Sequence, residues 1–122
     1  MKLKTLGKSG AKWSGFETFK SPLHSQRVVC VSNEVTANCP VTGQPDWYRV
    51  EIDYMPAQLC VESKTLKLYL QSFRNKGLFC EAFADKICAD LHSILKPVGI
   101  KVTVTQTPRG GVSIIATSSI EP

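Results

Sequence analysis

The chain has 122 residues, 43% hydrophobic and 20% charged, and a formal net charge of +5. That length fits one domain, residues 1–122, with a core large enough to fold without disulfide or metal staples. No apolar run approaches the roughly 18 residues of a membrane span, and no signal-peptide core follows the early lysines, so a soluble cytoplasmic protein without membrane contact is expected.

Five cysteines, Cys30, Cys39, Cys60, Cys80 and Cys88, cannot all pair within one chain and are read as reduced thiols. The tightest cysteine spacing is Cys80 to Cys88, and His24 and His92 lie far apart, so no metal site is expected. Four of the fifteen cations, Lys2, Lys4, Lys8 and Lys12, cluster at the start and the rest are scattered. A basic tail fits that distribution better than a nucleic-acid groove, and a small anion such as a dinucleotide phosphate explains the charge equally well.

In chain order, residues 1–27 mix Gly7, Gly10, Gly15, Pro22 and polar residues without sustained periodicity, which predicts an irregular arm. Rising β-branched content predicts a strand from Val28 to Asn38. Between Tyr48 and Tyr54, Tyr48, Val50, Ile52 and Tyr54 alternate with Arg49, Glu51 and Asp53, a strand signature. After Pro56 the period changes: Leu66, Tyr69, Leu70 and Phe73 fall on one helical face, with Gly77 ending the helix. A second helix is predicted from about Phe79 to Leu95, striped by Phe79, Phe83, Ile87, Leu91 and Leu95 and stopped by Pro97 and Gly99. Alternation returns at Ile100, Val102 and Val104, and Pro108-Arg109-Gly110-Gly111 turns the chain into a last strand with Val112 and Ile114. The order strand, strand, helix, helix, strand, strand suits an α+β fold with an antiparallel sheet. Two helices cover only one face, so the other face and the edges are expected to meet neighbouring subunits.

Four segments could carry chemistry. Cys39-Pro40-Val41-Thr42-Gly43-Gln44-Pro45-Asp46-Trp47 is stiffened by two prolines and a glycine, and can hold a thiol and a carboxyl group at fixed separation. That pairing suits covalent catalysis, with Cys39 attacking an electrophilic carbon and Asp46 moving protons; the plainer reading is a hairpin loop with Cys39 as a small buried filler. At the start of the first helix, Glu62, Ser63, Lys64 and Lys67 place cations beside a helix N-terminus, where a phosphate could bind, or else form a solvated face with Ser63 as N-cap. Glu81 could accept the ring N–H and amine of a guanine-like base, or simply favour the positive end of its helix. Arg109 could reach a phosphate from a turn whose glycines permit positive φ.

Together these segments resemble the QueF family, the NADPH-dependent 7-cyano-7-deazaguanine reductases of queuosine biosynthesis, in its short single-repeat form. The resemblance lies in C-P-x-T-G-Q-P-D-[FW] at Cys39 to Trp47, V-E-S-K-[ST]-L-K-L-Y-L-x-S-F-R-N at Val61 to Asn75, and P-R-G-G-[IV] at Pro108 to Val112. Weaker similarity extends back through Glu34-Val35-Thr36 and Glu17-Thr18-Phe19 to Leu6-Gly7. It implies a tunnelling fold, ββααββ, whose barrel forms by oligomerisation, commonly a decamer of two pentamers with active sites between subunits. It further implies that Cys39 forms a thioimide with the substrate nitrile and that Asp46 is the proton donor. Two NADPH molecules would deliver successive hydrides. Glu81, Cys80, Glu62 and Ser63 are expected to meet the substrate, and Lys64, Lys67, Arg109 and Gly110 the cofactor.

The chain departs from the family pattern at Cys80, where a histidine is usual; a thiol is a poorer hydrogen-bond donor. A reversible Cys39–Cys80 disulfide protecting the nucleophile is a further expectation. Two other readings compete. One is an amidinotransferase-like relative that acts on a deazaguanine nitrile in nucleic acid without NADPH. The other is a non-enzymatic nucleic-acid-binding module built on the basic balance and Trp13, Trp47 and the tyrosines, although no direct nucleic-acid contact is expected under the leading reading.

Overall fold

The computed structural model describes residues 12–122. Lys2, Lys4 and Lys8 of the basic tail, and the Leu6-Gly7 end of the resemblance, lie outside the described residues. In chain order the elements are β1 (Thr18–Lys20), β2 (Val28–Asn38), β3 (Pro45–Met55), β4 (Leu59–Val61), α1 (Ser63–Gln71), a 3-10 turn (Ser72–Asn75), α2 (Cys80–Leu95), β5 (Gly99–Arg109) and β6 (Val112–Ile120). The four long strands form one antiparallel sheet in the order β2-β3-β5-β6, and β1 pairs with β4 in a separate ribbon.

Alternation decides which side chains enter the core. Tyr48, Val50, Ile52 and Tyr54 of β3 and Ile100, Val102 and Val104 of β5 are all buried, each at most 4% exposed. Against them α2 lays Phe83, Ile87, Leu91 and Leu95, one residue per turn, all buried. Burying each such side chain contributes roughly 1.5–3 kcal/mol over leaving it in water. The predicted stripe began one turn too early. Phe79 is the N-cap of α2, in extended backbone, and stands 57% exposed. The helix ends where Lys96 turns left-handed (φ 45°) and its N–H reaches the His92 carbonyl, just before Pro97.

The predicted first helix divides in two. Leu66, Tyr69, Leu70 and Phe73 are buried as expected, but Phe73 belongs to the 3-10 turn, which closes at Lys76 before Gly77 is reached. The arm is not irregular throughout: Thr18–Lys20 pairs with Leu59–Val61, and neither three-residue strand is long enough to show an alternation. Trp13 and Phe16 dock on Tyr69 with ring centroids 5.3 and 4.6 Å away, opening an aromatic chain through Phe73 and Phe83 to Tyr48. The Tyr69 hydroxyl donates to Asp90 at 2.7 Å and ties α1 to α2.

One irregularity sets the site. The β2–β3 register shifts between Ser32 and Val35, so Cys30 and Ser32 point inward before the shift while Val35 and Ala37 do so after it. A one-residue slip moves every later side chain to the other face. Cys39 continues the phase of Val35 and Ala37 and so stands on the helix side of the sheet. The opposite face mixes Arg49, Glu51, Asp53 and Lys101 with exposed Val29, Val31, Trp47 and Ile115.

Candidate active site

Cys39 follows the last residue of β2 in a loop closed by its own backbone. The Cys39 N–H donates to the Gln44 carbonyl at 2.7 Å, and the Gly43 N–H donates to the Cys39 carbonyl at 2.8 Å. Gly43 has φ +72°, which an L side chain rarely adopts, so glycine is needed there. A second tether brings the start of α2 alongside: the Asn38 N–H donates to the Lys76 carbonyl at 2.9 Å, and the Leu78 N–H returns to the Asn38 carbonyl at 3.2 Å. The thiol is thereby held beside the helix that carries Cys80 and Glu81.

Asp46 faces the same side from the first turn of β3, paired in register with Ala37 and only 6% exposed. Its partner comes from the β5–β6 hairpin, where Gly110 and Gly111, at φ +58° and +82°, form the two-residue turn that aims Arg109. The Arg109 guanidinium lies 2.9 Å from the Asp46 carboxylate, and its charge also acts on the Cys39 thiol. Cys39, Asp46, Tyr48, Cys80, Glu81 and Arg109 line one cavity of about 380 Å³, joined by Phe79 and Gln106.

The electrostatics favour a thiolate. The Thr42 hydroxyl is the largest influence, followed by the Thr42 amide, the Arg109 guanidinium and the Val41 amide; together they bring the Cys39 thiol from 9.0 to about 6. A depressed thiol pKa means the charged nucleophile predominates at neutral pH. Alkylation of Cys39 by iodoacetamide is therefore expected to rise with pH through a midpoint near 6 and level off above it. In Thr42→Val the midpoint should move up toward that of an ordinary thiol, read by intact mass against time; an unmoved midpoint would refute this account of the activation.

Cys80 behaves in the opposite way. Burial first, and then Glu81, push its thiol up, and its sulfur faces the Val104 carbonyl at 3.5 Å and the Ile114 carbonyl at 3.8 Å. It is a neutral thiol engaged with β5 and β6, and both Cys39 and Cys80 are free. Burial likewise raises the Tyr48 phenol, with the Asp46 charge adding to it, so that hydroxyl stays protonated in the cavity.

The second expected group lies apart. Ser63 and Lys67 line a different cavity, about 360 Å³, with Leu66, Leu70, Val50 and Ile52 as its apolar wall and Glu34 at its rim. Glu62, not Ser63, is the N-cap of α1: its carboxylate accepts from the Lys64 and Thr65 amides at 2.8 Å each. Those amides are already occupied, so a phosphate here would be held by lysine side chains rather than by the bare helix N-terminus that the sequence suggested. Within one chain, Glu62, Ser63, Lys64 and Lys67 do not line the Cys39 cavity, whereas Arg109 stands there and Gly110 serves the turn that carries it. Thr42, Tyr48 and Gln106 were missed from the sequence. Tyr48 and Gln106 lie on the inward phase of their strands, so alternation carried forward from Asp46 would have found the first. Among the described residues no cluster of His, Cys, Asp and Glu could hold a metal ion, and no helix is long and apolar enough to cross a membrane.

An antiparallel sheet with two helices on one face, and a thiol, a carboxyl group and a guanidinium gathered in one cavity at its end, define an α+β tunnelling-fold chain with a candidate nucleophilic centre. Its fold matches the crystal structure of the archaeosine synthase QueF-Like in the apo form, with TM-score 0.76 and 21% identity, over 84% of this chain and 98% of that one. Residues 45–121 match the model of the family described as QueF-like protein, and the chain belongs to that family. A protein of Frankia casuarinae is 43% identical over 120 residues, 98% of this chain and 96% of its own length. One of Anaeromyxobacter sp. (strain K) is 42% identical over 84% of this chain and 85% of its own. One of Streptococcus thermophilus is 53% identical over 66% of this chain and 50% of its own. All three bear the name NADPH-dependent 7-cyano-7-deazaguanine reductase.

Proposed function

We propose that this chain is an oxidoreductase that reduces the nitrile of 7-cyano-7-deazaguanine to the aminomethyl group of 7-aminomethyl-7-deazaguanine, with NADPH as reductant. The observation that carries this reading is the Arg109 guanidinium paired with Asp46 in one cavity with Cys39 and Glu81. The names of the Frankia and Anaeromyxobacter relatives support it.

The Cys39 thiolate attacks the nitrile carbon, a C–S bond forms as one C≡N π bond breaks, and the nitrogen takes a proton relayed by Asp46. The product is a thioimide on Cys39. Bound NADPH supplies hydride; two are needed to reach the amine, and the C–S bond breaks on the way, returning the thiolate. Asp46 moves protons at the same nitrogen throughout, and Glu81 accepts the base's ring N–H and amine. Lys67 and Ser63, with Lys64 nearby in sequence, have the donor chemistry to hold the cofactor's phosphates beside an apolar wall.

Because those residues and Cys39 line separate cavities, the reading needs a second copy to bring one chain's lysines to another chain's thiol. The open edges of β2 and β6 offer the contact, as in the expected decamer of two pentamers. The test mixes protein, nitrile and NADPH. Two NADPH are expected to be consumed per nitrile, with product mass matching the amine. A mass shift on Cys39 without NADPH consumption would favour amine transfer instead, and steep salt-sensitive binding to nucleic acid with no adduct would point to a binding module.

A further inference from the structure

β5 turns Ile100, Val102, Val104 and Gln106 toward the helices in strict alternation. The first three fill the core, whereas the fourth is an amide only 9% exposed at the floor of the Cys39 cavity. Its backbone carbonyl accepts from the Ser113 hydroxyl at 2.9 Å, but its side chain has no hydrogen-bond partner among the described residues. No fully buried side-chain N or O atom among the described residues lacks a partner, so this carboxamide meets the open cavity, where a bound molecule can take the place of water as its partner.

We propose that Gln106 is a specificity contact, whose carboxamide hydrogen-bonds an adjacent donor and acceptor on the heterocycle held over Cys39. This rests on the nitrile-reductase reading. The two acidic and neutral groups of the cavity divide the work by chemistry. A carboxylate such as Glu81 only accepts, and so suits an edge carrying two donors. A carboxamide donates and accepts side by side, and so suits a mixed edge. A 7-deazaguanine presents both kinds, the ring N–H with its amine on one side and a ring nitrogen beside the pyrrole N–H on another. Gln106 pairs directly with Tyr48 across the strands, which places the amide next to the protonated phenol and within the same walls as Asp46. Gln106 binds and orients; it moves no proton.

The test is a nitrile titration of wild type and Gln106→Leu, followed by NADPH oxidation and by the Cys39 adduct in intact mass. Leucine keeps the bulk and removes both hydrogen bonds. The expected result is a KM, and an adduct half-saturation, raised about 10- to 100-fold with kcat within about fivefold of wild type. Gln106→Asn, which keeps the amide on a shorter stem, should recover part of the affinity, and it decides the matter if the leucine variant does not fold. Wild-type KM retained within about twofold in the folded variants overturns the inference. So does a loss confined to kcat. Wild-type protein that forms no adduct overturns the reductase reading and this inference with it.

Discussion

Cys39→Ala is expected to abolish both the covalent adduct and NADPH consumption, lowering turnover by at least about 10⁴-fold. The loss should be chemical and not structural. The loop is closed by the backbone bonds between Cys39 and Gln44 and between Gly43 and Cys39, which an alanine keeps. Cys39 is buried, and its replacement by alanine opens a space no larger than one sulfur atom. No neighbouring thiol can take over. Cys80 lies in the same cavity, but burial raises its pKa and its sulfur is turned to the carbonyls of Val104 and Ile114. Intact mass after incubation with the nitrile checks this directly: an adduct that persists in Cys39→Ala, or turnover that survives, defeats the mechanism.

Asp46→Asn is expected to slow reduction by about 10²–10⁴-fold, the usual worth of a positioned proton-transfer group, with nitrile affinity changed only a few-fold. Asparagine is isosteric, so Ala37 and Tyr48 keep their neighbours. What is lost is the proton-carrying carboxyl group and the charge facing Arg109 at 2.9 Å. Losing that charge leaves the guanidinium to the Cys39 sulfur, so the thiolate should be held at least as firmly as before. The alkylation midpoint of Cys39 therefore stays near 6 or falls in this variant, while turnover collapses. A midpoint that instead climbed in parallel with the lost activity would show Asp46 acting through the nucleophile, not on the substrate nitrogen.

The two variants separate capture from reduction. Under the proposed mechanism, Cys39→Ala would remove the bond to substrate, whereas Asp46→Asn would leave the attacking sulfur in place and withhold the proton that completes each step. A chain assembled so that Arg109 serves both groups couples them, which is why thiol reactivity and turnover need to be measured on the same preparations.

The sequence by itself determined the long elements and the candidate loop from Cys39 to Asp46. β2, β3, α2, β5 and β6 each bury one face, and a buried face is written locally, as a period of two or of about four, whatever the element later packs against. Cys39 and Asp46 were legible for a similar reason, since they stand seven positions apart along one proline-stiffened segment. Tertiary structure alone decided the rest. β1 and β4 exist only because they pair with each other, and Phe79 falls outside the helical stripe because the chain is still extended there, one residue before the first turn of α2. The shift between Ser32 and Val35 puts Cys39 on the helix side of the sheet, and the pairing of β5 with β6 delivers Arg109 to Asp46 from the far end of the chain. Glu62, not Ser63, caps the first helix, and Gln106 lines the Cys39 cavity. Periodicity reports which face a residue occupies; which distant groups share that face depends on register, and register is settled only when the strands meet.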